Sequence, residues 1–435
     1  MITALGFTLM FVIVALILMR RITPLVAFTL LPVIACALAG FTPAEIGKFI
    51  TEGLKSVAPT ATLFIFAILY FGIMRERGLF APLVNFLLRS TGGRPLAVAV
   101  VTVAVTAVTH LDGIGAATFL LVIPALLPLY LRLGMKREML LCLVVLSAGV
   151  MNMVPWGGTT ARASAVTGID ASQLWISLIP IQLIGLALVM GLAVFLGRRA
   201  QRSLAGIGDI SEHAATTSAS EDAALLSPRT WRYWGNLALT LAILACLFTG
   251  AFPLFACFMV GLGLALALVL NYPSLNEQNA AVMRHASDAL QMALVMLAAG
   301  ILLGVLSGTG MSEGMAHWMI NVLPEGSATW LHVIIGAFGV PLGMLFSPDA
   351  YYFALLPVIR DVAVAAGVDP AAVAKAMLIG ENTGFGVSPV VPSVYLAIGL
   401  AGVELYKHIR YTMLWAWGIS LVMLTAAVLF GVVTV

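Results

Sequence analysis

The chain has 435 residues, 61% of them hydrophobic and only 9% charged. A soluble protein carries roughly a quarter charged residues, so this composition excludes a globule surrounded by water. The net charge of +3 is small, and nothing in its distribution points to nucleic acid. The four cysteines, Cys36, Cys142, Cys246 and Cys257, stand alone in apolar segments, with no spacing suited to zinc.

Apolar runs of about 20 residues recur from end to end, each long enough to cross a bilayer core. Residues 1–19 form the first. They lack the basic start and small-residue cleavage site of a signal peptide, so they read as a retained span. Lys and Arg concentrate in cytoplasmic loops. Arg20 and Arg21 therefore place the first loop inside and the N-terminus outside. The span 24–40 exits, an amphipathic stretch 44–57 lies at the outer face, and 61–74 re-enters to end at Arg75, Glu76 and Arg77.

The segment 94–137 begins and ends with basic residues, and its middle reads His110-Leu111-Asp112-Gly113-Ile114-Gly115. Two full spans with an outer turn satisfy this pattern. A re-entrant hairpin with its tip at the midplane satisfies it equally. The next span contains Asn152 and then Pro155-Trp156-Gly157-Gly158-Thr159-Thr160. Pro removes a backbone donor and paired Gly weakens a helix, so this helix should break near its centre. The following span, 174–197, runs inward to Arg198, Arg199 and Arg202. Residues 203–228 are hydrophilic and read as a cytoplasmic linker.

The second half repeats the first in register. Gly72 and Gly78 recur as Gly304 and Gly310, and Pro124 and Gly134 as Pro357 and Gly367. Val154-Pro155 recurs as Ser388-Pro389, and Asp112-Gly113 has a looser counterpart in Ser347-Pro348-Asp349. Charge counting gives the second copy the opposite orientation. The fold class expected is an all-α polytopic membrane protein with two inverted repeats, each holding a re-entrant hairpin and a broken transmembrane helix. Residues 1–57 and 232–287 would supply scaffold spans, and 58–170 and 288–405 the repeats. Residues 171–198 and 406–435 would add spans, with 199–231 as the cytoplasmic linker and both termini outside the cytoplasm. Tips are expected near 110–116 and 346–350, and breaks near 154–160 and 384–391. Paired interrupted segments at matching positions point to a transporter's midplane site.

Unwound backbone at that depth needs protein or a water-filled cavity to satisfy it. Half-helix N-termini favour carboxylates. The candidate substrate-binding residues are Asp112, Gly113, Gly115, Thr118, Asn152, Trp156, Gly157, Gly158, Thr159, Thr160, Arg162, Ser347, Asp349, Tyr351, Asn382, Thr383 and Ser388. Hydroxyls at these positions suit carboxylate oxygens, or else cap helix ends. Arg162 suits a bidentate grip on a substrate carboxylate, or neutralises an acidic neighbour. Trp156 lines the site or packs. Intramembrane ionisable residues mark function by default, so Asp112, Asp349, Glu381 and His110 are candidates for proton or cation coupling. The acids could equally form fixed ion pairs or helix caps. The protein alone offers no metal site. Neither HExxH nor GxSxG nor a P-loop is present, which argues against an enzyme.

The same stretches carry a resemblance. His110 to Gly113, Leu127-Pro128-Leu129-Tyr130, Pro155-Trp156-Gly157-Gly158 and Thr160-Ala161-Arg162-Ala163 resemble the CitMHS family of citrate–divalent-metal:proton symporters. Asp349-Ala350-Tyr351-Tyr352-Phe353, Val387 to Pro392 and Gly399 to Leu405 extend the likeness over nearly the whole chain. The resemblance implies import of citrate or a related tricarboxylate at the cell inner membrane, as a complex with Mg²⁺ or Ca²⁺ and driven by H⁺. It also implies a homodimer with a scaffold and a mobile transport domain in each protomer. No cofactor is implied beyond these co-substrates. The alternative is a dicarboxylate or other organic anion coupled to Na⁺. The family's first tip reads Asp-Gly-Asp-Gly, whereas here Ile114 replaces the second acid and Thr159 replaces a Pro. Asp112 and Asp349 are then the candidate contacts to a metal–citrate complex.

Overall fold

The computed structural model describes residues 1–19, 21–204, 231–249, 252–267, 271–324 and 326–435. The expected linker 199–231 lies outside the described residues except at its ends, as does Arg20. Among the described residues all regular structure is helical. Among these residues, six helices are long and apolar enough to cross a membrane, or up to eight if each bent pair counts as one span.

The first half contains α1 (Ile2–Leu18), α2 (Pro24–Leu38), α3 (Pro43–Glu76) and α4 (Ala81–Arg89). Next come α5 (Pro95–Thr109) and α6 (Gly115–Arg132), joined by a turn at His110–Asp112, then α7 (Arg137–Met151), α8 (Gly158–Thr167) and α9 (Ala171–Leu204). The second half contains α10 (Trp231–Thr249), α11 (Leu254–Leu266), α12 (Leu275–Gly308) and α13 (Met311–Val322). It continues with α14 (Ser327–Ala337), α15 (Gly339–Leu345), a π-helical turn at Ala350–Leu355 and α16 (Leu356–Ala365). It closes with α17 (Pro370–Asn382), α18 (Pro392–Ala401) and α19 (Leu405–Leu429). The order of elements in the second half follows that of the first, with α14 and α15 standing where α5 stands.

Helices α3 and α12 form the central pair, each 34 residues long, or about 51 Å at 1.5 Å per residue. Both are capped by a hydroxyl. In α3, Thr42 accepts from Glu45 N while the Glu45 carboxylate accepts from Thr42 N at 2.8 Å, a reciprocal cap that fixes the helix start. The sequence suggested a separate amphipathic stretch at 44–57. Instead those residues are the first part of α3, which continues past Pro59 to Glu76. The packing explains why. Gly53 and Gly300 bring the two backbones together, and a Cβ on Gly304 would collide with the Phe49 carbonyl oxygen. The expected boundaries at 57/58 and 287/288 therefore fall inside the paired helices.

This crossing gives a first test. Gly304→Leu should destabilise the folded protein by about 1–3 kcal/mol, because the obstructing atom is backbone. Gly263→Leu, where nothing lies within 4 Å, should change the thermal midpoint little. Equal melting of the two variants would mean the helices tolerate separation.

The helical segment before Asp349 is sharply bent. Helices α14 and α15 meet at 66°. Pro341 has no N–H to give the carbonyl four residues back, and Trp417 Nε1 bonds that Ala337 oxygen instead, at 2.7 Å.

Candidate functional site

Two helix interruptions meet inside the protein. The first separates α7 from α8 at Asn152–Gly157. Pro155 cannot donate, and a Cβ on Gly157 would collide with the Asn152 carbonyl oxygen. The carbonyls released by the break are satisfied locally. Thr159 Oγ1 donates to Asn152 O at 3.2 Å and Thr160 Oγ1 to Met153 O at 2.9 Å. The second interruption separates α17 from α18 at Thr383–Val391 and includes a 3-10 turn at Phe385–Val387; the segments Pro370–Val387 and Pro392–Ala401 meet at a bend of 42°. There His408 Nε2 donates to Gly386 O at 2.9 Å, and Tyr395 Oη to Pro389 O at 2.8 Å.

The interruptions are joined by side-chain amides. Asn152 Nδ2 donates to Asn382 Oδ1 at 3.1 Å, and Thr159 Oγ1 donates to the same oxygen at 2.8 Å. Asn382 Nδ2 in turn donates to Leu378 O at 2.8 Å. The backbones come so close that a Cβ on Gly149 would collide with the Asn382 carbonyl oxygen. A buried amide network of this kind, with its members bonded, fixes one arrangement of the crossing.

Both hairpin turns dock beside this crossing. The first turn is buried, with Asp112 and His110 almost wholly inaccessible. Gly113 takes a left-handed conformation at φ 72°, which any side chain there would strain. Trp156 Nε1 donates to Leu111 O at 2.6 Å, tying the first break to this turn. Gly115 opens α6 close to Phe385 of the second break. At the second turn, Arg162 Nε donates to Asp349 Oδ1 at 2.8 Å. Arg162 also donates to Gly158 O at 2.7 Å and reaches the Met292 sulfur on α12 at 3.8 Å.

The three candidate acids differ in their partners. Asp112 pairs with Arg75 of α3 and accepts from Ile114 N at 2.8 Å. Asp288 on α12 acts on the same arginine. Asp349 pairs with Arg162. Glu381 lies fully buried in α17 with Tyr352 Oη donating to its Oε2 at 3.0 Å. Among the described residues it has no cation within salt-bridge range, although Arg162 acts on it electrostatically.

The candidate hydroxyls are mostly engaged with the protein. Thr118 bonds His110 Nδ1 at 2.9 Å and Ile114 O at 3.2 Å. Thr383 donates to Ala416 O at 3.0 Å, Ser347 accepts from Ala350 N at 3.2 Å, and Ser388 accepts from Val390 N at 3.4 Å. Breaking a helix among apolar side chains frees backbone groups, and nearby polar side chains satisfy those that the local turns do not. Trp156 packs between Phe71 and Phe258, with ring centroids 5.2 and 5.4 Å away. Tyr351 is buried with its hydroxyl 3.5 Å from Met377 O, and it is Tyr352 that meets an acid. The first N–H groups of α6 and α8 remain as donors with no acceptor in their own helix.

Sequence reasoning missed Arg75. Its place at the end of α3 marks it as a topology signal, and only the fold brings it to Asp112. Among the described residues, no group of three or more His, Cys, Asp and Glu could hold a metal ion.

Comparisons with known proteins agree with this architecture. The chain is 39% identical to the citrate transporter of Bacillus subtilis (strain 168), with both chains covered in full. It is 36% identical, again over both full chains, to that organism's Mg(2+)/citrate complex secondary transporter. Its fold is similar to the crystal structure of the Alcanivorax borkumensis YdaH transporter, with a TM-score of 0.58, 16% identity and 88% of each chain covered. The family described as citrate transporter, CitMHS, matches residues 2–380. The chain thus belongs to the CitMHS citrate transporter family.

Proposed function

We propose that this protein is a proton-coupled importer of a divalent metal–citrate complex, bound where the two helix breaks cross. The observation that carries this reading is the crossing itself. Asn152 and Asn382 join interruptions from the two halves, and the two hairpin turns dock against them. On this reading the halves are inverted repeats and both hairpins are re-entrant. The α3–α12 pair belongs to a scaffold against which the rest moves in alternating access.

The charges favour the metal complex over free citrate. Both arginines at the turns are already neutralised by aspartates, so little positive charge remains to hold a trianion. A bound Mg²⁺ or Ca²⁺ removes two of the three negative charges of citrate before it enters. The starts of α6 and α8 supply partial positive charge for the remainder. The curated relative whose cargo is a Mg(2+)/citrate complex supports the same choice.

Glu381 is the proposed proton carrier. Buried charges are ordinarily paired, and an unpaired acid neutralises itself with a proton instead. Glu381 has a phenol beside it where Asp112 and Asp349 have arginines.

Uptake of labelled citrate into proteoliposomes tests the whole reading. Uptake should require Mg²⁺ or Ca²⁺ and respond to an inward proton gradient. Uptake that is equal without the metal would remove the complex as cargo. Uptake that follows a Na⁺ gradient alone would replace the coupling ion.

A further inference from the structure

Helices α9 and α19 lie side by side and antiparallel. Phe195 of α9 meets Trp415 of α19, with ring centroids 6.1 Å apart, and one helical turn further on Arg199 acts electrostatically on Tyr411. The seam between them holds an open groove of 460 Å³. Leu188, Gly191 and Phe195 line it from α9, and Trp415, Gly418 and Val422 from α19. No atom stands within 4 Å of where a Cβ would lie on Gly191 or Gly418. The two glycines therefore make room rather than allow close packing. Phe195, Trp415 and Val422 remain substantially exposed, so the groove opens away from the protein core.

One end of this groove is strongly basic. Helix α9 finishes with Arg198, Arg199 and Arg202, all exposed, and α19 begins with exposed Lys407 and Arg410. Two of these five are engaged. Lys407 pairs with Glu404 at 3.1 Å, and Arg410 donates to Tyr406 Oη at 3.2 Å. The three arginines of α9 have no acidic partner among the described residues. Glu138 also acts on Tyr411. Among the described residues, positive charge is in surplus at this end.

The dimensions match one leaflet of a bilayer. From Leu188 to Arg199, α9 rises about 17 Å, close to half of the ~30 Å hydrocarbon core. The basic end belongs at the cytoplasmic face by the positive-inside principle. Basic sites between transmembrane helices on that face take anionic lipid head groups. A second copy of the chain fits less well, because a two-fold contact uses the same patch on both partners and would bring the basic ends together. We propose that this groove binds an anionic phospholipid, with one acyl chain between Gly191 and Gly418 and the phosphate at Arg198, Arg199 and Arg202.

Native mass spectrometry of the purified full chain tests this without any transport measurement. The probes are phosphatidylglycerol and phosphatidylcholine with the same acyl chains. Phosphatidylglycerol should bind selectively. The triple variant Arg198→Gln/Arg199→Gln/Arg202→Gln should bind it more than about tenfold more weakly. Gly418→Leu, which fills the groove and leaves the charges, should also weaken it. These positions are exposed, and monodisperse elution of each variant checks that it folds. Equal retention of the two lipids, or undiminished phosphatidylglycerol binding by either variant, would overturn the proposal. Loss of a dimer in Gly418→Leu with lipid binding intact would assign the groove to a second copy instead.

Discussion

Glu381→Gln should leave a carrier that exchanges citrate across the membrane but no longer accumulates it. A pH gradient of one unit is worth 1.36 kcal/mol per proton, so each coupled proton supports about tenfold accumulation. The wild-type protein should reach that ratio in proteoliposomes and the variant should reach none. The amide keeps the shape of the carboxyl and still accepts from Tyr352 Oη, which donates to Oε2 at 3.0 Å in the native protein. Exchange of labelled for unlabelled citrate should therefore persist. Tyr352→Phe, which removes the donor and leaves the acid, should shift the pH dependence of uptake rather than abolish it. Gradient-driven accumulation by Glu381→Gln at the wild-type level would take this residue out of the coupling step. Asp112 would then be the acid to examine next, although its pairing with Arg75 gives it a resident counter-charge.

The second large effect concerns Arg162 and Asp349. Their side chains are 11% and 18% exposed, and Arg162 Nε lies 2.8 Å from Asp349 Oδ1. Removing one partner strands the other charge in apolar surroundings. Arg162→Ala or Asp349→Ala should each cost about 3–5 kcal/mol, visible as a lower thermal midpoint in detergent, and each should abolish uptake. The double variant Arg162→Met/Asp349→Leu removes both charges and should recover much of the stability without recovering transport. Recovered uptake in the double variant would mean that the pair only holds the second turn to α8. Unchanged stability in both single variants would mean that the pair is not formed in the membrane.

The elements of the site were legible where the sequence carries local backbone chemistry. Asp112-Gly113, Pro155 with Gly157-Gly158, and Ser388-Pro389 announce a turn and two breaks, because Pro and Gly act on the hydrogen-bond ladder of their own helix. All three positions are non-helical or at helix ends in the structure. The bend between α14 and α15 had the same kind of signal in Gly339 and Pro341, which the reading for spans passed over. Lys48, Glu52 and Lys55 give the first part of α3 a polar face, which in sequence looks like a surface stretch separate from the span. Only its packing on Gly300 and Gly304 of α12 shows that it continues.

Partners were less legible than positions. Arg75 stands 37 positions before Asp112 on a different helix, and Tyr352 stands 29 positions before Glu381. Neither pairing follows from helix periodicity. Arg162–Asp349 was among the alternatives open from sequence, since a buried cation needs an acid, but nothing local chose Asp349 over Asp112. The hydroxyls illustrate the opposite limit. Their clustering around the breaks was plain. That clustering first serves the broken backbone, as Thr159 and Thr160 do for the carbonyls of Asn152 and Met153.

Equilibrium binding of labelled citrate to the purified protein, titrated with and without Mg²⁺, tests whether a metal–citrate complex binds where the two interruptions meet at Asn152 and Asn382. The wild-type protein should bind citrate saturably only when the metal is present. Asn382→Ala, which removes the oxygen that Asn152 and Thr159 share, should lose that binding. Saturable citrate binding that ignores both Mg²⁺ and the Asn382 substitution would place the site elsewhere and remove the metal from it.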